Sequence, residues 1–182
     1  IKTQYEPLVA WGKENGVNVL GVGVSQKHAA GELAEVVPSA VEKMRLTDAT
    51  LKESIFWITG STSVFREIAT VNAHSSTVPV LSVVPDVVKA GQDTAVMSIG
   101  VGFQSNAQLA AIYGVNVLTG KTHVGDLPVG LVEPPDIAIS FLKAREIGMK
   151  VPFSFLERAS TIYGNSGAIA RSKGKNLVAE VD

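Results

Sequence analysis

Four short, largely apolar runs punctuate the first hundred positions: Val17–Val24 (VNVLGVGV), Ser54–Gly60 (SIFWITG), Val78–Val84 (VPVLSVV) and Thr94–Val101 (TAVMSIGV). None alternates cleanly between apolar and polar residues. Strands buried on both faces read this way, as in a parallel sheet covered by helices. Between these runs, apolar residues recur at spacings of three and four. A helix is predicted over Tyr5–Asn15, carrying Leu8, Val9 and Trp11 and closing at Gly16, a residue suited to the position just past a helix end. Further helices are predicted over Glu32–Arg45 and Val64–His74. Another covers Gln104–Thr119, where Leu109, Ile112, Tyr113 and Val117 share a stripe that stops at Gly120. Pro85 and Asp86 open a short helix ending near Gly91. The Gly- and Pro-rich stretch Gly120–Pro135 predicts an extended crossing, followed by a strand at Ile137–Ser140 and a helix at Phe141–Ile147 that Gly148 and Pro152 stop. The polar tail from Tyr163 to Asp182 predicts little regular structure.

Strands alternating with helices of this size imply βαβ units. The expected fold class is therefore α/β, with three layers and a doubly wound, mostly parallel sheet. A hydrophobic content of 46% with a net charge of -1 fits a packed core and not a disordered chain. The sequence pI of about 6.4 and the scattered Lys and Arg leave no electrostatic footprint for nucleic acid. Cysteine is absent, so disulfides, thiolate metal sites and a cysteine nucleophile are excluded. No apolar run approaches the roughly 18 residues of a membrane-spanning helix. The opening IKTQYEPLVAW has neither a Met nor a basic segment leading into an apolar run. It reads as the first turns of a helix and suggests a processed chain or an excised fragment.

Catalytic patterns are weak. His28, His74 and His123 fall in separate loops or helix ends without metal-ligand spacing. GNSGA at Gly164–Ala168 is not a G-x-S-x-G nucleophile elbow. GVGVSQ lacks the third glycine of a dinucleotide fingerprint, so Gly21 and Gly23 are expected to relieve crowding in a buried strand. Neither a P-loop nor a catalytic pair of carboxylates is visible. The chain is expected not to be an enzyme and to need no cofactor.

Binding chemistry has more support. In open α/β sheets, ligands gather beyond the carboxyl ends of the strands. Three such ends carry polar or special residues: Thr59–Ser63; Pro85 and Asp86; and the SIGVGFQSN run, where Gly100 and Gly102 let the backbone turn before the aromatic Phe103. The Ser61, Thr62 and Ser63 hydroxyls read either as a plain helix cap or as donors to a ligand. The candidate contacts are Thr59, Ser61, Thr62, Ser63, Asp86 and Phe103.

The run from Val78 to Val129, with FLKAREIGMKVPFSFLERA after it, resembles the solute-binding proteins of ABC importers. It is similar in particular to the type 1 periplasmic-binding family that includes tryptophan- and tyrosine-binding members. The family pattern is matched by Pro79, Val88, Gly91, Gly100, Phe103 and Leu118–Gly120, and its closing segment by Ala144, Gly148 and Pro152. The resemblance covers nearly everything from Tyr5 to Ala159. It implies two α/β lobes with a ligand trapped between them. Residues 1–101 and 135–159 would form the second lobe. Residues 102–134 would be the hinge crossing and a first-lobe helix, and 160–182 an irregular C-terminal tail. The bulk of the first lobe would lie outside this chain. GSTSV stands where the family commonly has D-N-T-V, so Ser61, Thr62 and Ser63 replace Asp, Asn and Thr. Gly102 replaces a frequent acid and Phe103 a Tyr. These changes remove acceptors for a ligand ammonium.

The function so implied is capture of a small solute, such as an amino acid or an aromatic acid, for an ABC transporter permease in an extracytoplasmic setting, periplasmic or lipid-anchored. The alternative is a sensory module of the same fold. A second copy of the chain or a local rearrangement is expected to cover the stripe on the Gln104–Thr119 helix.

Overall fold

A computed structural model describes residues 2–59 and 61–172; Gly60 and the last ten positions of the predicted tail lie outside the described residues. In chain order, the elements are α1 (Lys2–Asn15), α2 (Ala29–Arg45), β1 (Phe56–Ile58), α3 (Thr62–Arg66), α4 (Ile68–His74) and β2 (Val80–Ser82). Next come β3 (Met97–Gly100), α5 (Phe103–Leu118), β4 (Asp136–Ser140), α6 (Phe141–Glu146), α7 (Phe153–Arg158), β5 (Thr161–Tyr163) and β6 (Ile169–Arg171). Single 3-10 turns occupy Pro85–Val87 and Val124–Asp126.

The six strands lie side by side in chain order. The β1–β2, β2–β3 and β4–β5 pairs are parallel, whereas β3–β4 and β5–β6 are antiparallel. Side chains alternate between faces along a strand, and this sorts the core into two layers. Val80 and Ala138 face one side, with Leu33 and Val37 of α2 and Ile68 and Val71 of α4. Leu81, Ile137 and Ile139 face the other, with Ala144 of α6 and partly buried Phe155 and Leu156 of α7. Parallel crossovers are right-handed almost without exception. Strand β4 runs opposite to β3, so the same handedness that puts α3 and α4 on one face puts α6 and α7 on the other. The sheet is covered on both sides in three layers, as the unbroken apolar runs predict. Full burial of Val80, Leu81 and Ser82 in β2 fits that pattern.

Several expectations change. Val17–Val24 joins no strand ladder among the described residues. Val17, Leu20 and Val22 stay about half exposed, and only Val24 packs on the core. Glycines at 21 and 23 provide no side chain to hold a strand in place. Gly21 does make a close approach, since a Cβ there would meet the Tyr5 ring at 2.7 Å, but nothing crowds Gly23. The single helix predicted over Val64–His74 is two, broken at Glu67, whose φ of -97° and ψ of 26° leave the helical region. The break turns α4 so that Ile68 and Val71 reach the core, while α3 buries none of its residues.

The helix at Phe141 stops before Gly148 and Pro152 as expected, and Pro152 then stands at the N-cap of a further helix, α7, that the sequence did not suggest. The segment read as an irregular tail from position 160 contributes β5 and β6 to the sheet. Gly16, Gly120 and Gly148 end their helices as expected, each near φ +70°, where glycine carries no steric cost.

Helix α5 stands apart, with Ser105 its one buried residue. Part of its stripe is covered locally, because Gly130 lies close against the Leu109 and Tyr113 side chains. Ile112, Val115 and Leu118 remain 54–88% exposed.

Candidate functional site

Parallel strands deliver their carboxyl ends to one edge. The exits of β1, β2 and β3 therefore sit side by side, and antiparallel β4 begins at the same edge. Gly100 shows how tightly they meet: a Cβ at that position would lie 1.7 Å from the Val83 carbonyl oxygen. Only a hydrogen fits. Immediately beyond, the two leading amides of α5 are held by carboxylates from different elements. The Gly102 amide donates to Asp136 Oδ2 at 3.0 Å, and the Phe103 amide donates to Asp86 Oδ2 at 3.1 Å. Negative charge here also complements the positive end of the helix. Asp136 is buried, and one of its oxygens accepts the Ser160 hydroxyl at 3.4 Å.

The six candidate contacts all belong to this edge. Thr59 follows β1, Asp86 follows β2 and Phe103 follows β3. Asp86 and Phe103 are joined directly by their hydrogen bond, and the Phe103 ring is 66% exposed. Ser61 occupies the N-cap position of α3, but its hydroxyl makes no capping bond. Its carbonyl instead accepts the Phe65 amide at 2.9 Å. That is the first intrahelical bond, and the hydroxyl is not consumed by a cap. Thr62 is exposed, while Thr59, Ser61 and Ser63 are half-buried. Among the described residues, no hydrogen bond links this hydroxyl group to Asp86.

Beside the hydroxyl loop lies a cavity of about 340 Å³, lined by residues 26–31 at the start of α2 and by Ser63, Arg66 and Glu67. Its size is at the lower end for small-molecule sites. Of these residues, sequence reasoning had singled out Ser63. It started α2 at Glu32 and missed the preceding residues because the helix begins three positions earlier, with His28 at its N-cap and no side-chain cap bond. Glu32 holds the loop in place: its carboxylate accepts the Ser25 hydroxyl at 2.5 Å and the Ser25 amide at 2.7 Å. Those two bonds, the hydroxyl first, hold the Glu32 pKa below its ordinary 4.5 against an opposing effect of desolvation, with a smaller contribution from the charge of His28. The spacing of Ser25 and Glu32 around Gln26-Lys27-His28 was the signal available in the sequence.

Tyr163 is the other residue the sequence did not suggest. It comes from β5, and burial, followed by the nearby charge of Asp86, raises its phenol above 10.0. Among the described residues no cluster of three or more His, Asp or Glu is placed to hold a metal ion, and no helix is long and apolar enough to cross a membrane.

No family model matches the chain, and no curated protein matches it. Its fold does match solved structures. One is a conserved domain protein from Vibrio cholerae, at a TM-score of 0.60 and 16% identity, covering 88% of this chain and 49% of that one. Another is an ABC domain in complex with L-Trp from Streptococcus pneumoniae, at a TM-score of 0.61 and 21% identity, covering 88% and 51%. A third is the ligand-free, open form of a substrate-binding protein with adhesive properties from Clostridium difficile, at a TM-score of 0.61 and 20% identity, covering 87% and 48%. The chain thus spans about half the length of each structure it matches, and at these identities the likeness is one of fold.

Proposed function

We propose that this chain is the greater part of one lobe of a two-lobed solute-binding protein that serves an ABC importer outside the cytoplasm. The observation that carries the reading is the convergence of three strand exits and the start of α2 on one outward edge, beside a cavity large enough for a small solute. Two of the matched folds are a substrate-binding protein and an L-Trp complex, each about twice the length this chain spans. In this arrangement residues 1–101 and 135–159 belong to the lobe, extended by β5 and β6, and 102–134 reach toward the partner lobe. The uncovered residues of α5, Ile112, Val115 and Leu118, would pack there, as a contiguous apolar surface requires.

The mechanism is a conformational equilibrium with no bond made or broken. A solute that touches both lobes binds the closed state better than the open one and shifts the population toward closure, which a permease then recognises. From this lobe Thr59, Ser61, Thr62 and Ser63 supply hydroxyls. Phe103 supplies an aromatic face, and Asp86 fixes its position by accepting the Phe103 amide. The test is a thermal-shift screen of the full-length protein against amino acids, nucleosides, sugars and small aromatic acids. A ligand at 100 times its Kd stabilises the native state by about 2.7 kcal/mol, so a clear rise in Tm is expected for one class. Refutation would come as a binder whose contacts, mapped by amide chemical shifts, lie away from this edge.

A further inference from the structure

Resting on the proposed solute-binding role, we infer that the solute is an anion and that the cavity between Lys27 and Arg66 receives its charged group. The acids at the edge are already engaged: Asp86 and Asp136 each accept an amide at the start of α5, and Glu67, which lines the cavity, accepts the Thr70 hydroxyl at 3.1 Å. Glu32, in the first turn of α2, is bound twice by Ser25.

The donors are not engaged in this way. Lys27 and Arg66 line the cavity, and neither is paired with a carboxylate among the described residues. The Ser63 hydroxyl and His28 line it too. With Lys27 and Arg66 set against Glu67, the cavity carries an excess of positive charge, and its bonding capacity is mostly donor. A guanidinium binds a planar carboxylate through two parallel N–H bonds, and two cations facing one acid favour an anionic group over an ammonium. The remainder of the solute would extend from the cavity along the edge toward the exposed Phe103 ring.

The experiment is an amide chemical-shift titration of the 182-residue chain at millimolar probe, which reads the weak binding expected of a single lobe. The probes are benzoate, its neutral isostere benzamide, and inorganic phosphate. Benzoate is expected to move amides in residues 26–31 and 63–67, with benzamide at least about tenfold weaker, the scale of a charge-assisted hydrogen bond. Phosphate binding in the same place without benzoate would keep the anion and replace the carboxylate with a phosphate group. Arg66→Gln is expected to weaken benzoate binding by about tenfold, and Arg66→Lys to restore part of it; Glu67→Gln is expected to leave it equal or tighter. Arg66 is exposed, so an unchanged amide spectrum elsewhere in Arg66→Gln confirms that the variant folds. Benzamide binding as well as benzoate, or an Arg66→Gln variant that binds benzoate normally, overturns the inference while leaving a solute site intact. Silence from all three probes overturns the anion assignment, and the solute-binding role then stands or falls on the full-length screen alone.

Discussion

Replacing Gly100 with Ala tests the packing that gathers the site. The added carbon would fall 1.7 Å from the Val83 carbonyl oxygen and 2.7 Å from its carbon, and both are backbone atoms that no rotamer change can move. Side-chain carbons do not approach closer than 3.0 Å, so the exits of β2 and β3 must separate by about 1.3 Å. That displacement strains the Val83 amide bond to Ile58, already 3.4 Å long, and the carboxylate contacts of Gly102 and Phe103 just beyond. Overpacking a well-filled core costs about 1–3 kcal/mol, and a backbone obstacle places Gly100→Ala at the upper end. For a chain of this size each kcal/mol lowers Tm by about 2–4 °C, so a fall of about 6–12 °C is expected in a circular-dichroism melt. Gly114→Ala is the control. It lies inside α5 with open space around its missing Cβ, and the better helix propensity of Ala should stabilise the chain by about 0.5–1 kcal/mol. A Gly100→Ala protein melting within about 2 °C of the parent would refute the close approach of the two strand exits.

Two further outcomes follow from the clasps at the site. Asp86→Ala removes the acceptor of the Phe103 amide; hydrogen exchange should speed up at the start of α5, with a stability loss of about 0.5–2 kcal/mol, the range for a lost helix cap. In the same variant the Tyr163 titration, followed by ultraviolet absorbance, should move down toward 10.0 without reaching it, because burial, the larger cause of its raised value, remains. Ser25→Ala should raise the Glu32 pKa toward 4.5, read from its carboxyl carbon by NMR. Because the folded value is depressed, the clasp contributes fully above the unfolded pKa and is lost as pH falls through the lower folded value. Identical Glu32 titrations in the two proteins would show that the Ser25 hydroxyl bond does not hold in solution.

How legible each part was depended on how local its cause is. Helix ends at Gly16, Gly120 and Gly148 were readable because a left-handed residue stops a helix wherever it occurs. Strands β2, β3 and β4 were readable because burial on both faces leaves an unbroken apolar run. Val17–Val24 has the same composition, yet it remains outside the sheet: pairing depends on a neighbour, and a run of Val and Gly does not name one. Strands β5 and β6 were illegible for the converse reason. Their three residues each carry too short a pattern to stand out from the polar tail, and β5 is held by β4, more than twenty positions earlier. Within the site, the hydroxyl loop, Asp86 and Phe103 could be picked out as strand exits, but the cavity at the start of α2 could not. Its lining comes from two segments more than thirty residues apart.

The amino-acid sequence by itself determined the class of fold, the positions of most helices, and which loops follow the strand exits, because propensity, periodicity and turn residues act within a few positions of one another. The tertiary structure alone decided which residues spend their hydrogen bonds on the scaffold. Asp86, a candidate ligand contact in the sequence, is tied to the start of α5, whereas Arg66 drew no notice and lines an open cavity. Whether a polar group is satisfied depends on partners brought in by the sheet, and no local pattern encodes that.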